Sequence, residues 1–359
     1  PNAEADITGI SFEEDVLANS YIDLNPSYDE SQNAYPIRIS VKEGTDMTSL
    51  APIFELTPGA TISPASGSVQ DFTTPVRYTV TSEDKAWHRV YAITAREQKA
   101  SNIPTTYHFE KVRIMQNVWQ EFYEEQDSGN ELTWASGNKG FKWAMSGAAT
   151  EDYPTTQIDN GKTGKCVKLE TRLTGDLGNM VGMPIAAGNL FIGSFDMLNA
   201  ITNPLSATRF GTPFYNKPLR LTGYYKYKAG EQFYENGEYT SRKDIFNIYA
   251  IFYDGVKYDS AGKGTDVTLD GNLPNQNYEH PSMVALALVS NPQETEGDEW
   301  KFFDIPFDYQ RYGKKIDEAR LTKGEYKISI IFASSKDGAT FEGAPGSTLL
   351  IDEVELIYE

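Results

Sequence analysis

The length, composition and charge of the chain set the first limits on its class. Its 359 residues exceed what one hydrophobic core usually organises, so two domains are expected. The 22 Tyr and 18 Phe beside 29 Gly and 18 Pro are typical of short strands joined by turns, which indicates an all-β class. A formal net charge of −19 repels nucleic acid and anionic lipid headgroups, whereas a neutral glycan or a calcium ion stays open as a partner.

Cysteine content and hydropathy narrow the class further. The single Cys166 cannot form an internal disulfide, and its strand-like surroundings predict a buried thiol. No stretch approaches the about 20 apolar residues that cross a bilayer, so no transmembrane segment is predicted. Residues 1–4 resemble a processed N-terminus. We expect that a signal or lipid-attachment segment on their N-terminal side has been removed.

The first hundred residues alternate short apolar runs with turn residues. Ile37, Ile39 and Val41 fall on one face of a predicted strand, since side chains alternate along a strand. Further strands are predicted at residues 53–56, 76–81 and 89–95. This spacing predicts a small β-sandwich over residues 1–100, and the polar segment 98–104 marks the boundary of the domain.

Two segments of this region resemble a known module. Residues 58–67, PGATISPASG, and residues 78–84, YTVTSED, are similar to the immunoglobulin-like modules that are common in Bacteroidetes surface proteins. The resemblance implies an immunoglobulin-like sandwich that acts as a spacer for the domain that follows it.

From residue 105 to the end the chain is richer in aromatic residues and in long strand-like runs. These runs are residues 219–228, 244–253, 284–290, 300–307, 326–333 and 349–358. Their number and length predict a jelly-roll sandwich of two sheets over residues 105–359. The connecting segment 259–279 is polar, and we expect it to be a surface loop outside the core.

Several stretches of this second region resemble one family, the putative carbohydrate metabolism domain of Bacteroidetes. The resemblance rests on residues 187–195, 211–214, 221–227, 244–250 and 343–354, and it covers the chain from about residue 105 to the end. It implies a jelly roll similar to carbohydrate-binding modules, a glycan partner and a cell-surface or periplasmic location. The family offers no catalytic motif to transfer, so a mechanism has to come from the residues themselves.

Two tryptophans are candidates for stacking on a sugar ring. Trp134 and Trp143 flank the loop-like stretch 135–140, where an exposed indole could cover the apolar face of a pyranose. The alternative is that both are buried packing residues, which is the commoner place for an indole.

Polar and aromatic strand residues supply further candidates for carbohydrate binding. Asn247 and Tyr249 fall on the face of their strand opposite the predicted core, where they could hydrogen-bond sugar hydroxyls. The alternative for both is an ordinary solvated sheet face. Tyr225 and Tyr227 belong either to the core or to a ligand platform. Arg209 could clamp a uronic acid through two hydrogen bonds, and the alternative is an ordinary surface ion pair.

Two carboxylates fall among apolar neighbours in predicted strands. Glu110 and Asp352 would each be costly to bury without a partner. Jelly-roll carbohydrate-binding modules often hold a structural calcium between an early Glu and a late Asp, so these two residues are the predicted calcium ligands. The alternatives are hydrogen bonds to a loop backbone, a lysine partner, or a bulge that turns either side chain outward.

Catalytic patterns are sparse. Glycosidases use a pair of carboxylates, and Asp244 and Asp196 are conceivable members of such a pair. The sequence contains no zinc, serine-triad or nucleotide-binding motif. Three functions stay open: a secreted or surface-attached glycan-binding protein, a glycoside hydrolase or lyase, and a structural component of a cell-surface assembly. The expected partners are a polysaccharide or oligosaccharide and other cell-surface proteins. The expected location is extracellular, at the outer-membrane surface, or periplasmic, with a lipid anchor.

Overall fold

The computed structural model describes all residues from 1 to 359, and strands dominate it. Strands account for 43% of the residues and short helices for 10%, which confirms the predicted all-β sandwich class. The chain forms two compact units, residues 1–100 together with Glu359, and residues 101–358. Among the helices, none combines the length and the apolar character needed to cross a bilayer.

The first unit contains six strands. They are β1 (Ile7–Ser11), β2 (Tyr35–Lys42), β3 (Ile53–Leu56), β4 (Thr61–Ser63), β5 (Val76–Thr81) and β6 (His88–Gln98). One sheet has the order β2-β6-β5-β4, with β2 and β6 parallel, and β1 pairs antiparallel with β3. The predicted inward face of β2, formed by Ile37, Ile39 and Val41, is buried against Ile7 and Phe54 of the β1–β3 pair. A small sandwich results.

The second unit contains the remaining strands and the helices. The strands are β7 (Thr106–Tyr107), β8 (Val112–Met115), β9 (Trp119–Glu125), β10 (Glu131–Ala135), β11 (Thr155–Asp159), β12 (Lys165–Glu170), β13 (Arg172–Leu173), β14 (Ile185–Ala186), β15 (Asn189–Phe195), β16 (Thr208–Phe210), β17 (Thr212–Pro213), β18 (Pro218–Lys228), β19 (Phe233–Glu235), β20 (Glu238–Thr240), β21 (Asn247–Asp254), β22 (Val256–Tyr258), β23 (Gly264–Asp266), β24 (Leu269–Asp270), β25 (Met283–Leu288), β26 (Lys301–Pro306), β27 (Tyr326–Ala333) and β28 (Thr348–Tyr358). The α-helices are α1 (Asn138–Ala144), α2 (Gly175–Met180), α3 (Met197–Thr202) and α4 (Glu318–Thr322). Short 3₁₀ turns occupy Thr150–Asp152, Pro204–Ser206, Pro274–Gln276 and Gly338–Thr340.

Two sheets enclose the main core of this unit. The first sheet has the order β25-β21-β27-β15-β10-β9-β8, and the second has the order β11-β12-β28-β18-β26. Ile248 and Phe332 of the first sheet meet Leu221 and Ile351 of the second in one buried cluster. A two-sheet sandwich is therefore present, while the jelly-roll connectivity stays a prediction.

The outer face of the first sheet is also covered, contrary to the sequence-based expectation for the segment that covers it. Tyr249 and Ile251 of β21 pack there against Leu269, Leu273 and Tyr278 in a second apolar cluster. The prediction that the whole segment 259–279 is a surface loop is wrong, because three of its apolar side chains are buried on the sheet.

A helix replaces the loop predicted between the two tryptophans. Helix α1 begins at Asn138, and the buried carboxamide of Asn138 anchors the helix to β11: Nδ2 donates to the carbonyl of Thr155 at 2.8 Å and Oδ1 accepts from the amide of Thr155 at 3.1 Å. Phe141 of the same helix packs against Trp119 and Tyr153. These tertiary contacts stabilise a helix too short to form alone.

Candidate functional site

An apolar cleft of about 180 Å³ lies on the outer face of the first sheet. Its floor consists of two rows of side chains from β15, β27 and β21, because alternate residues of neighbouring strands share a face. The register places the rows side by side: Asn189, Ala333 and Asn247 in one, and Phe191, Ile331 and Tyr249 in the other.

The walls of the cleft come from the short helices. Helix α1 supplies Trp143, the end of α2 supplies Gly178 and Val181, and α3 supplies Ile201. Gly178 has no room for a side chain, because a Cβ there would lie 1.9 Å from Oγ1 of Thr174. No carboxylate lines the cleft. It is thus an apolar and almost uncharged site.

The polar atoms in the floor are neutral. The Nδ2 of Asn247 donates to the Tyr278 hydroxyl at 3.0 Å, and Oδ1 of Asn189 accepts from the Gly137 amide at 2.7 Å. Burial raises the pKa of Tyr249 well above its usual range, so its phenol keeps its proton. The floor can offer hydrogen bonds without a charge.

A groove of about 690 Å³ adjoins the cleft, and Phe341 lines both. The groove is lined by Leu173, Asn179, Gly182, Pro184, Tyr234, Asn236, Gly237, Tyr239, Thr340, Phe341 and Glu342. Its far side is the β19–β20 hairpin, which turns through Asn236 and Gly237 at positive φ, as tight hairpins require. The rings of Tyr234 and Tyr239 meet edge to face at 5.3 Å, and Tyr239 is 50% exposed.

The groove combines an exposed aromatic ring with neutral polar groups. A half-exposed aromatic ring gives an apolar face, and the carboxamides of Asn179 and Asn236 give neutral donors and acceptors beside it. Glu342 is the one charged residue of the lining. Pockets that fix a ligand commonly combine an apolar surface with a few polar groups in this way.

A third hollow, of about 510 Å³, holds two carboxylates, those of Asp152 and Glu170. Both form ion pairs with Arg172, at 4.0 Å and 3.4 Å, and Glu170 also pairs with Lys168 at 2.9 Å. This arrangement is a charge network, in which each carboxylate already has a cationic partner.

The structure brings three of the predicted binding residues together. Trp143, Asn247 and Tyr249 all line the cleft. Trp143 is 38% exposed, so its indole is available to a ligand. Arg209 is exposed on β16 but lines neither the cleft nor the groove, and its proposed contact with a uronic acid stays a prediction.

Three other predicted binding residues are core residues. Trp134 is 1% exposed and its ring packs against Tyr107, with ring centroids 5.0 Å apart, so the prediction that it stacks on a sugar is wrong. Tyr225 and Tyr227 are buried between the two sheets around Phe246. Their placement in the binding site is therefore also wrong, and the core alternative holds for both.

The two predicted calcium ligands approach the same loop. Oε1 of Glu110 accepts a hydrogen bond from the Lys165 amide at 2.7 Å, and Oδ2 of Asp352 accepts one from the Thr163 amide at 3.0 Å. Asp352 is fully buried, and this burial raises its pKa to about 6. Amide hydrogens thus occupy positions where a cation would bind, and no group of three or more metal-ligating side chains is present. Calcium stays a prediction.

The two conceivable catalytic acids have structural partners. Asp244 is buried, and its Oδ2 accepts hydrogen bonds from the Ser335 hydroxyl at 2.6 Å and from the Ser347 hydroxyl at 2.7 Å. Asp196 caps helix α3 by accepting from the Leu198 amide at 2.9 Å. Neither carboxylate lines the cleft or the groove.

The groove was absent from the sequence-based candidates, although one signal for it exists. The stretch from Phe233 to Thr240 carries Asn236-Gly237 between aromatic residues, which is a strong hairpin signal. It could have indicated an exposed hairpin with Tyr234 and Tyr239 on it. The partners across the groove, Asn179 and Glu342, are distant in sequence and carry no such signal.

The fold and the hollows define a β-sandwich protein with a ligand-sized groove, and comparisons with known families give its family. Residues 108–357 match the family described as Putative carbohydrate metabolism domain, and the chain belongs to that family. Residues 23–95 match the family described as SGBP, N-terminal. The family resemblances recognised in the sequence are thereby confirmed.

Ten chains of solved structures match this chain, and they include the following two from Bacteroides. A putative glycoside hydrolase from Bacteroides thetaiotaomicron VPI-5482 is 46% identical, with 100% of this chain and 98% of that chain covered and a TM-score of 0.64. A putative glycoside hydrolase from Bacteroides vulgatus ATCC 8482 is 50% identical, with 72% of this chain and 100% of that chain covered and a TM-score of 0.67. A search of the curated proteins gave no match.

Proposed function

We propose that the protein is a secreted or surface-attached glycan-binding protein, and that it holds a polysaccharide or oligosaccharide in the groove. The observation that carries this proposal is the half-exposed ring of Tyr239 beside the neutral carboxamides of Asn179 and Asn236. Aromatic rings cover the apolar face of a sugar, and carboxamides bond its hydroxyls. The carbohydrate-related family and the SGBP match of the first unit support the same function and a surface location.

Binding is favoured over hydrolysis by the number of carboxylates in reach. Both common glycosidase mechanisms use two carboxyl groups that flank one glycosidic bond. The lining of the groove contains one, that of Glu342, and the lining of the cleft contains none. In the third hollow the carboxylates of Asp152 and Glu170 are ion-paired with Arg172. The hydrolase function that the two Bacteroides relatives carry in their names is therefore the second candidate.

A glycan array with the whole chain tests the proposal. We expect at least one oligosaccharide to bind, and we expect Tyr239→Ala to weaken that binding by roughly threefold to tenfold, the worth of one aromatic contact. Tyr258→Ala is the matched control, because Tyr258 is also about half exposed, at 47%, but lies on another hairpin.

The outcomes separate the candidates. If no glycan on the array binds, or if Tyr239→Ala binds as tightly as the wild type, the groove is not a glycan site. Release of reducing sugar from a bound glycan would favour the hydrolase function, and loss of that release in Glu342→Gln would locate it in the groove.

A further inference from the structure

The cleft differs in chemistry from the groove beside it. Its floor and walls present Phe191, Ile331, Val181 and Ile201, and Lys336 is the one charged residue of the lining. A sugar placed here would lose hydrogen bonds to water that an apolar wall cannot replace, which disfavours its binding. The cleft therefore suits a ligand group without charge and with few hydroxyls.

The volume of the cleft limits the size of that group. An apolar cavity of about 150 Å³ engineered into another protein stays dry and binds benzene. The cleft measures about 180 Å³, so it accommodates one aromatic ring or an acyl chain of similar volume. The carboxamides of Asn189 and Asn247 flank Ala333 in the floor and are the polar side chains there beside the Tyr249 hydroxyl.

The two helices that border the cleft, α2 and α3, carry exposed apolar side chains. On helices α2 and α3, Met180 is 82% exposed and Leu198 is 84% exposed, and Leu177 and Ile201 are exposed beside them. Exposed apolar clusters of this kind mark binding sites. The same two helices supply Gly178 and Ile201 to the walls of the cleft, so these exposed apolar side chains lie on the elements that border it.

We infer that the cleft binds an uncharged acyl or aryl group, and that this group is a substituent of the glycan held in the groove. Phe341 lines both hollows, so a substituent of a glycan in the groove has the cleft as its immediate neighbour. The first part of the inference stands on the cleft alone, whereas the attachment to a glycan rests on the proposed function. The predicted ligand is an acylated or arylated glycan.

Calorimetry with two simple glucosides tests the cleft in the intact chain. We expect octyl β-D-glucopyranoside, kept below its micelle concentration, to bind at least tenfold more tightly than methyl β-D-glucopyranoside. Ala333→Leu fills the floor of the cleft and is expected to reduce the octyl affinity at least tenfold. Ala261→Leu makes the same change on an exposed turn of the β22–β23 hairpin and is expected to leave the affinity unchanged.

A second variant keeps the test independent of folding. Ile201→Asp places a charge on a side chain that lines the cleft and is 42% exposed, and it is also expected to weaken octyl binding. Equal binding of the two glucosides, or wild-type octyl binding by both cleft variants, would overturn the inference. If octyl glucoside binds in the cleft but no glycan on the array binds, the groove is not a glycan site, whereas the cleft is still an apolar binding site.

Discussion

Asp244 and Ser335 are joined by a 2.6 Å hydrogen bond in which the serine hydroxyl donates to Oδ2, and Ser335 lies in the wall of the cleft. The same oxygen accepts from the Ser347 hydroxyl at 2.7 Å and from the Ala344 amide at 2.8 Å. Since Asp244 is buried, these donors replace water around the carboxylate. The network thus fixes the segment between β27 and β28 that contains Phe341, the residue shared by the cleft and the groove.

Replacing this carboxylate should destabilise the second unit. In Asp244→Asn either orientation of the carboxamide directs its NH₂ group toward an N–H or O–H donor, so we expect the free energy of unfolding to fall by about 1–3 kcal/mol. Urea unfolding of the intact chain measures the change. Asp127→Asn, at an exposed position, is the control and should change the free energy of unfolding by less than about 0.5 kcal/mol. Equal stability of the two variants would contradict a structural role for Asp244.

The buried carboxyl of Asp352 should make stability depend on pH. Its folded pKa of about 6 lies above the ordinary value of 3.8, so the folded chain keeps a proton that the unfolded chain has released between these pH values. The stabilisation is complete below pH 3.8 and is lost as the pH rises through 6, by at most about 3 kcal/mol. The free energy of unfolding of wild type and of Asp352→Asn should be measured in chelator at pH 4.5 and at pH 7. Between these two pH values the wild type should lose more stability than the variant.

A bound calcium ion would reverse this dependence. Calcium requires the ionised carboxylate, so stability would then rise with pH, and added calcium would raise the melting temperature. If calcium raises the melting temperature of the wild type but not that of Glu110→Gln, this would support the calcium site predicted from the sequence. An unchanged melting temperature would leave the amides of Thr163 and Lys165 as the partners of the two carboxylates.

The strands of this protein could be predicted well because their signal is local. The run from Tyr326 to Ala333 and the run from Ile53 to Leu56 have the bounds expected from the sequence. In β21, Ile248 and Tyr249 fall on opposite faces, as alternation requires. Each of these predictions depends only on residues that are neighbours in the chain.

The layer that makes the site could not be predicted in this way. Helices α1, α2 and α3 have six or seven residues each, which is too short for a helical period to stand out. Whether the outer face of β21 is open or covered depends on Leu273 and Tyr278, which come from a polar segment distant in sequence. The cleft is thus a product of tertiary packing, and of its floor only Asn247 and Tyr249 were candidates.

Replacement by alanine should have different effects at the two tryptophans near α1. Trp134 is core and packs against Tyr107 and Phe332, so Trp134→Ala should lower the free energy of unfolding by about 3–5 kcal/mol. Trp143 is 38% exposed at the cleft, so Trp143→Ala should lower the free energy of unfolding by less than Trp134→Ala does, while weakening binding of octyl glucoside. Urea unfolding and calorimetry on the two variants give both quantities. The reverse order of stabilities would be incompatible with this placement of the indoles.

The thiol of Cys166 should be inert in the folded protein and reactive in the unfolded one. Burial raises its pKa to about 12, and the carboxylate of Asp352 acts in the same direction, so almost no thiolate exists at pH 8. We expect 5,5′-dithiobis(2-nitrobenzoic acid) to label no thiol in the native chain and one thiol per chain in urea. Ser128→Cys, at an exposed turn, provides the positive control for labelling under native conditions. Strand β12 is paired on both sides, with β11 and β28, and such a strand should open only rarely. Rapid labelling of Cys166 in the native chain would therefore contradict this placement of the thiol.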